Sequence, residues 1–335
     1  MTLVLVSVFL LFCLFSVCSQ SWWTAWMFME FSLIWFFPLV NKEFMKSKKS
    51  SVWIMFSLMS LSSIGLLLSM FMGSLFIEQG GWFNSWLILS FMFLSIKMGL
   101  PPFHSWYLEV SGCLDSWGFL LIMTVFKIPS LIFLMNIIFL MNKFNYFILT
   151  YLYSLLFFSL AGLSCFSIRH MLIYSSFINM TWSLSSLFTF SSLYVMFYIV
   201  YFLSFFLFWV IYEWSSFKQI NVEESLTLSK KEMIILMLSM ANMVGMPPFS
   251  IFFMKVKIIL SMIEEGIMEL MALLSVSLLM SVLMLWMYMS MLYLMTLWKT
   301  SLFFLNKKIN ISIMFSITQS VVLLISILSL SLILI

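Results

Sequence analysis

The chain has 335 residues, of which 64% are hydrophobic and 8% charged. Soluble domains carry about 25% charged and about 45–50% apolar residues, so no soluble fold of this length hides so much apolar surface. The same hydropathy excludes a disordered chain, and four cysteines without framework spacing exclude a disulfide-stapled secreted protein. The net charge of +4 arises from 16 Lys and Arg with no basic stripe beside aromatics, which excludes nucleic acid as a partner. The composition is that of an all-α integral membrane protein with lipid as its outer solvent.

Membrane β-strands alternate apolar and polar residues over about ten positions. Here the apolar runs are continuous and about 20 residues long, the length a spanning helix requires. Taken in chain order they predict about eleven transmembrane helices, at roughly 3–18, 22–40, 52–73, 82–108, 115–140, 145–165, 171–189, 191–213, 231–262, 267–298 and 311–333. Residues 1–18 have no basic leader and no small-residue cleavage site, and no arginine-rich presequence is present. Neither a cleaved signal nor an import address is therefore expected.

An odd number of spans puts the termini on opposite sides. The N-terminal side then receives Lys42, Lys46, Lys48, Lys49, Arg169, Lys218, Lys230, Lys231, Lys299, Lys307 and Lys308, and the other side only Lys143. The positive-inside bias places the N-terminus in the cytoplasm-equivalent compartment. Basic loops such as 42–49 would attract anionic lipid headgroups at about 1 kcal/mol per residue.

The string Gly99-Leu100-Pro101-Pro102-Phe103 returns 146 residues later as Gly245-Met246-Pro247-Pro248-Phe249. Each interrupts a segment too long for one straight crossing. Proline removes a backbone donor and clashes with the preceding turn, so both helices are predicted to break. Broken helices persist in lipid only where they line a protein-filled or wet interior. Five spans separate the two breaks, so they run in opposite directions. The predicted organisation is a five-helix repeat over 1–140, an inverted second repeat over 141–300, and an extra helix in 301–335. Paired Gly/Pro interruptions in matching positions of two halves point to a transport site. Chance recurrence is the poorer account, because these strings hold four of the six prolines.

Glu30, Lys97 and Lys127 lie near the middle of their spans, and Lys255 lies just past the second break. Each costs about 2.5–3.5 kcal/mol at the bilayer centre, and a lysine at that depth cannot snorkel out. These groups are expected to face the helix interior, paired or hydrated. Burial disfavours the ammonium, a second cation disfavours it further, and a carboxylate favours it. A row of Lys and Glu joined by water is a proton relay; structural ion pairing is the competing reading. Lys257, two residues on from Lys255, points elsewhere. His104 would extend a proton path or satisfy a hydrogen bond at the break. His170, beside Arg169, is expected to be solvated, and Glu109 and Asp115 to cap helix starts. Cys13, Cys18, Cys113 and Cys165 show no Cys-x-x-Cys spacing. Neither a metal site, an iron–sulfur site nor a nucleotide-cradling loop is therefore predicted.

The run from Lys97 through Gly99, Pro101, Pro102, Phe103, His104, Trp106 and Tyr107 to Glu109 resembles a lysine-to-glutamate stretch of the antiporter-like membrane subunits of respiratory complex I, in their animal mitochondrial form. Further stretches resemble the same family in order along the chain. They are Met29-Glu30 with Pro38, Thr124 to Pro129 around Lys127, Tyr174-Ser175-Ser176 through Trp182, and Gly245 to Phe249 followed by Lys255. The resemblance implies a charge pair between Glu30 and Lys97, a central relay lysine at Lys127 and a distal one at Lys255. It implies a multi-pass protein of the mitochondrial inner membrane, with its N-terminus in the matrix. It further implies other membrane-arm subunits as partners, and flavin, iron–sulfur clusters, NADH and ubiquinone bound by other subunits with no cofactor in this chain. The family has histidine where this chain has Asn179 and glycine where it has Thr181, so water held by Asn179 and nearby hydroxyls would serve instead. The proline after Lys127 stands one position early.

The function implied is proton translocation within NADH:ubiquinone oxidoreductase. The alternative is a subunit of an independent multi-subunit cation/proton antiporter, which would use the same lysines without NADH oxidation. A purely structural bridge between pump subunits gains nothing from four costly charges.

Overall fold

The computed structural model describes residues 2–43, 49–75, 80–100, 103–114, 116–140, 145–163, 165, 168–187, 191–214, 230–247, 249–265 and 268–300. The predicted last span, Pro101, Pro102, Asp115, Pro248 and the loop lysines Lys46, Lys48, Lys143, Lys218, Lys307 and Lys308 lie outside them. The described residues form thirteen α-helices and no strand. Five stretches among them are long and apolar enough to cross a membrane: Trp22–Val40, Val52–Leu75, Ser116–Ile138, Ser192–Tyr212 and Leu273–Ser290. Shorter apolar helices cover Val4–Cys18, Ser85–Met98, Tyr153–Leu163 and Ile234–Val244.

The chain divides into two compact units, Met1–Thr150 and Tyr151–Ile335. Polarity in both is inverted relative to a water-soluble protein. Val4, Leu14, Trp53, Leu61, Leu279 and Trp286 are exposed, whereas Lys97, Lys127, Lys255, Asn179 and Asn242 are buried. Leaving a large apolar side chain in water forgoes about 1.5–3 kcal/mol, so this outer surface is built for lipid. Helix serines satisfy themselves locally. Ser32, Ser62 and Ser90 donate to the carbonyls of Met29, Met59 and Leu87 at 2.7, 2.8 and 2.7 Å, which removes the cost of a hydroxyl in an apolar medium.

The first unit contains α1 (Thr2–Cys18), α2 (Trp22–Glu43), α3 (Lys49–Leu75), α4 (Gly80–Met98), α5 (Ser105–Cys113), α6 (Ser116–Met123) and α7 (Lys127–Leu140). Helix α1 packs along α2, α3 along α4, and α7 against α1, α2 and α4. Phe126 anchors the entry to α7, with its ring centroid 4.9 Å from Phe36 and 6.5 Å from Phe9.

The second unit contains most of α8 (Asn145–Leu163), with α9 (Ile168–Ser186), α10 (Ser191–Trp214), α11 (Lys230–Val244), α12 (Ser250–Glu265) and α13 (Met268–Thr300). In α9 every residue except Arg169 and His170 is buried, although its sequence carries five serines, an asparagine and a threonine. A helix so polar and so enclosed is an interior element rather than a lipid-facing one.

Both predicted breaks are present, and they are built alike. Gly99 (φ +72°) follows α4 and Gly245 (φ +80°) follows α11. The Gly99 and Gly245 amides donate three residues back, to Ile96 and Asn242, at 3.2 and 3.0 Å. The Leu100 and Met246 amides donate five residues back, to Ser95 and Ala241, at 2.9 and 3.2 Å. This is a Schellman ending, in which a left-handed glycine closes the helix. The break therefore begins at the glycine, ahead of the prolines.

The predicted span 115–140 is divided as well, at Thr124–Phe126 between α6 and α7. Pro129 supplies no amide for the Val125 carbonyl and its ring crowds that group. The ladder shifts to compensate. The Phe126 amide reaches back five residues to Leu121 at 3.0 Å, and the Ile128 amide takes the Val125 carbonyl at 3.1 Å.

Candidate functional site: charges at helix ends

In the first unit, the Lys97 ammonium donates to Glu30 Oε1 at 3.1 Å. Lys97 is 5% exposed and Glu30 21%. Helix α2 supplies the carboxylate and the last turn of α4 the lysine. The break at Gly99 leaves that turn with carbonyls no amide satisfies, and this end of a helix favours a cation. Trp106 Nε1 adds a second donor to the Ile96 carbonyl, which the Gly99 amide already meets, at 3.1 Å. A small cavity of about 10 Å³ is lined by Met29, Ser32, Lys97, Phe126, Pro129 and Ser130, which is room for about one water. It lies between the ion pair and the first turn of α7, whose Ser130 hydroxyl donates to the Lys127 carbonyl at 2.9 Å.

Lys127 opens α7 and is 1% exposed. Its Nζ stands 4.7 Å from the centroid of the Tyr107 ring. A desolvated cation over an aromatic face gains about 2 kcal/mol. Tyr107 is held by its hydroxyl, which donates to the Ile122 carbonyl at 2.9 Å. That carbonyl belongs to the end of α6, so the second interruption of the first unit also fixes the ring beneath the lysine.

In the second unit, Lys255 of α12 is 7% exposed and donates to the Val244 carbonyl at 2.9 Å. Its Nζ is 5.6 Å from the centroid of a Trp182 ring on α9. Asn179, one turn earlier on α9, donates from Nδ2 to the neighbouring Met243 carbonyl at 3.1 Å. Ser250 Oγ and Asn242 Oδ1 are 3.0 Å apart. The end of α11 is thus met by a lysine and an asparagine, each on a carbonyl the Schellman ending leaves open.

Glu30, Lys97 and Lys127 fall in the first unit, and Lys255 and Asn179 in the second. Lys257 is half-buried, unlike the enclosed Lys255. His104 immediately precedes α5 but makes no side-chain cap. His170 is exposed near the start of α9, as expected. Glu109 is exposed in the middle of α5 and caps no helix start, because the helix resumes already at Ser105. All four cysteines are free, and no three His, Cys, Asp or Glu side chains gather as a metal site among the described residues. Sequence reasoning missed Tyr107 as a partner of Lys127, Trp182 as a partner of Lys255, and the carbonyls of Ile122, Met243 and Val244. The one available signal was that both aromatics stand within the motifs that carry the lysines.

Comparison with known proteins adds three findings. Residues 19–280 match the family described as NADH:quinone oxidoreductase/Mrp antiporter, transmembrane. NADH-ubiquinone oxidoreductase chain 2 of Anopheles gambiae is 31% identical over 70% of this chain and 69% of its own length, and that of Rhipicephalus sanguineus is 27% identical over 89% and 88%. Among solved structures, a chain of respiratory complex I from Thermus thermophilus, determined with bound aureothin, superposes with a TM-score of 0.78 at 17% identity. The match covers 98% of this chain and 77% of that one, which shows a shared fold.

Proposed function

Since the chain belongs to the NADH:quinone oxidoreductase/Mrp antiporter transmembrane family, we propose that it is a proton-translocating membrane-arm subunit of complex I in the inner mitochondrial membrane. Protons move through a relay of Glu30, Lys97, Lys127 and Lys255. The observation that carries this reading is the part-buried Lys97–Glu30 pair at 3.1 Å, whose lysine shares a water-sized cavity with the first turn of α7.

In this reading quinone reduction in other subunits reaches the chain as a change of electrostatics. When the Glu30–Lys97 pair opens, Lys97 loses its counter-charge and repels the proton on Lys127. That proton passes on to Lys255, whose ammonium is received by the Val244 carbonyl and the Trp182 face. NADH, flavin, iron–sulfur clusters and ubiquinone belong to other subunits, and this chain holds no redox group. Its partners are the neighbouring membrane-arm subunits and anionic lipid at the basic loops. The N-terminus faces the matrix, and 1–140 and 141–300 act as inverted repeats, which the matched backbones at Gly99 and Gly245 support.

The independent cation/proton antiporter would share these lysines. The named relatives, both chains of NADH-ubiquinone oxidoreductase, favour the first reading. Co-purification with flavin and iron–sulfur subunits separates the two. The relay itself is tested by Lys127→Met in the assembled complex: proton pumping is lost while the complex still forms, and pumping at the normal ratio to electron transfer refutes it.

A further inference from the structure

Each break is crossed by a bond from the second half-helix back to the first, but the donor differs. In the second unit the lysine follows the break. There Lys255 itself donates to the Val244 carbonyl at 2.9 Å, and Ser250 Oγ meets Asn242 Oδ1 at 3.0 Å. In the first unit the lysine precedes the break and is turned to Glu30. The crossing bond comes instead from Trp106 of α5, whose Nε1 donates to the Ile96 carbonyl at 3.1 Å. At the offset of 146 residues that separates the two Gly-x-Pro-Pro-Phe strings, Trp106 corresponds to Phe252, which has no side-chain donor.

The Trp106 bond falls at a junction. Ile96 stands immediately before Lys97, so the indole is tied to the turn that carries the lysine. On its other side the indole meets the Tyr107 ring edge-on, with centroids 5.2 Å apart and planes at 73°. Neighbours on a helix point about 100° apart, so a ring contact between them holds both in one orientation. Tyr107 in turn lies under the Lys127 ammonium, 4.7 Å from it. It also packs on Gly99, where an added Cβ would come 2.9 Å from its own. Trp106 is 3% exposed and Tyr107 0%, so neither ring has room to swing alone. The Ile96 carbonyl already accepts from the Gly99 amide at 3.2 Å, so the helix end does not need the indole to complete it. What the second donor adds is a fixed distance between α4 and α5.

We propose that Trp106 is a positioning residue for Lys127. It clamps α5 to the last turn of α4, so the turn that carries Lys97 and the ring that seats Lys127 move as one body. The link rests on the relay reading and deepens it: opening of the Glu30–Lys97 pair reaches Lys127 through contact as well as through charge. When Lys97 swings from Glu30, its turn draws the indole, the indole tilts the Tyr107 ring, and the Lys127 ammonium loses the aromatic face that holds it.

The test uses the whole complex in sealed vesicles, with Trp106→Phe, Tyr107→Leu and both together, and Lys127→Met beside them. Proton pumping is read per assembled complex. Trp106→Phe keeps a ring and loses the donor, and it is expected to pump about threefold more slowly. Tyr107→Leu is expected to pump about tenfold more slowly. Because Trp106 acts through Tyr107, the double variant should be no slower than Tyr107→Leu alone, whereas independent packing defects would multiply to about thirtyfold. A wild-type rate in Trp106→Phe, or a multiplied loss in the double variant, overturns the link. If Lys127→Met abolishes pumping in that case, the relay stands and only the link fails; if Lys127→Met pumps normally, the relay itself falls and the link with it. Should the double variant not assemble, hydrogen exchange in Trp106→Phe decides. The Lys127 and Ile128 amides, bonded to the Thr124 and Val125 carbonyls, should exchange faster. Faster exchange confined to residues 96–107 overturns the proposal.

Discussion

Lys97 Nζ and Glu30 Oε1 meet at 3.1 Å across 67 residues of chain, inside a helix bundle whose outer face is apolar. Glu30→Gln keeps the shape and removes the counter-charge. Breaking a fully buried pair costs about 3–5 kcal/mol, and the partial exposure of Glu30 lowers that figure. The variant should assemble in reduced amount and lose proton pumping, with Glu30→Asp recovering part of both. Native gels and dye-monitored pumping in vesicles check it, and full pumping by Glu30→Gln removes the pair from the mechanism.

The two left-handed glycines predict unequal sensitivity to one added methyl group. Alanine at either position pays about 1–2 kcal/mol for the positive φ. At Gly99 the new Cβ also lands 2.9 Å from Tyr107 Cβ, whereas at Gly245 its nearest neighbour is Ile251 Cγ2 at 3.1 Å. Gly99→Ala should therefore be the more damaging, and because it displaces the ring beneath Lys127 it should impair pumping as well as assembly. Thermal midpoints of the two assembled variants give the order directly.

The interruption between α6 and α7 depends on Pro129. Pro129→Ala returns an amide to the Val125 carbonyl and relieves the crowding, so the two helices should join. Hydrogen exchange at residues 124–128 should slow by about tenfold for each 1.4 kcal/mol recovered. Pumping should fall, since a continuous helix re-aims both Phe126 and Lys127. Unchanged exchange would show that another feature holds the break open.

Tyr107 separates two contributions to the Lys127 site. Tyr107→Phe keeps the ring under the ammonium and loses the bond to the Ile122 carbonyl. Tyr107→Leu loses both. The phenylalanine variant should pump close to the wild-type rate. The leucine variant forgoes a contact of about 2 kcal/mol and should pump about tenfold more slowly or worse. Equal rates for the two would mean that the ring contributes only volume.

Much of this was legible because the informative residues are rare in their setting. Lysines stand out inside apolar runs, and the Gly-x-Pro-Pro-Phe strings mark both breaks because glycine alone takes the left-handed turn without strain. The division at Thr124–Phe126 was hidden for a physical reason: proline acts on the carbonyl four residues earlier, so the damage appears upstream of its cause. Tyr107 and Trp182 were hidden by abundance, among 39 Phe, 14 Trp and 11 Tyr. The carbonyls of Ile122, Met243 and Val244 have no sequence letter at all. They become acceptors only because two helices, α6 and α11, stop where they do. Glu109 was misread as a cap because the restart of the helix at Ser105 leaves it in mid-turn.

The Schellman endings also limit how force can travel. A continuous helix is a stiff rod, and a push at one end arrives at the other. Helices α4 and α11 stop at glycines whose turns redirect the backbone, so a thrust along either rod is absorbed at the bend before α5 or α12. Signals that pass between these half-rods must travel as electric field and side-chain contact, the channels through which Lys97 and Lys255 are already tied to the ends of α4 and α11.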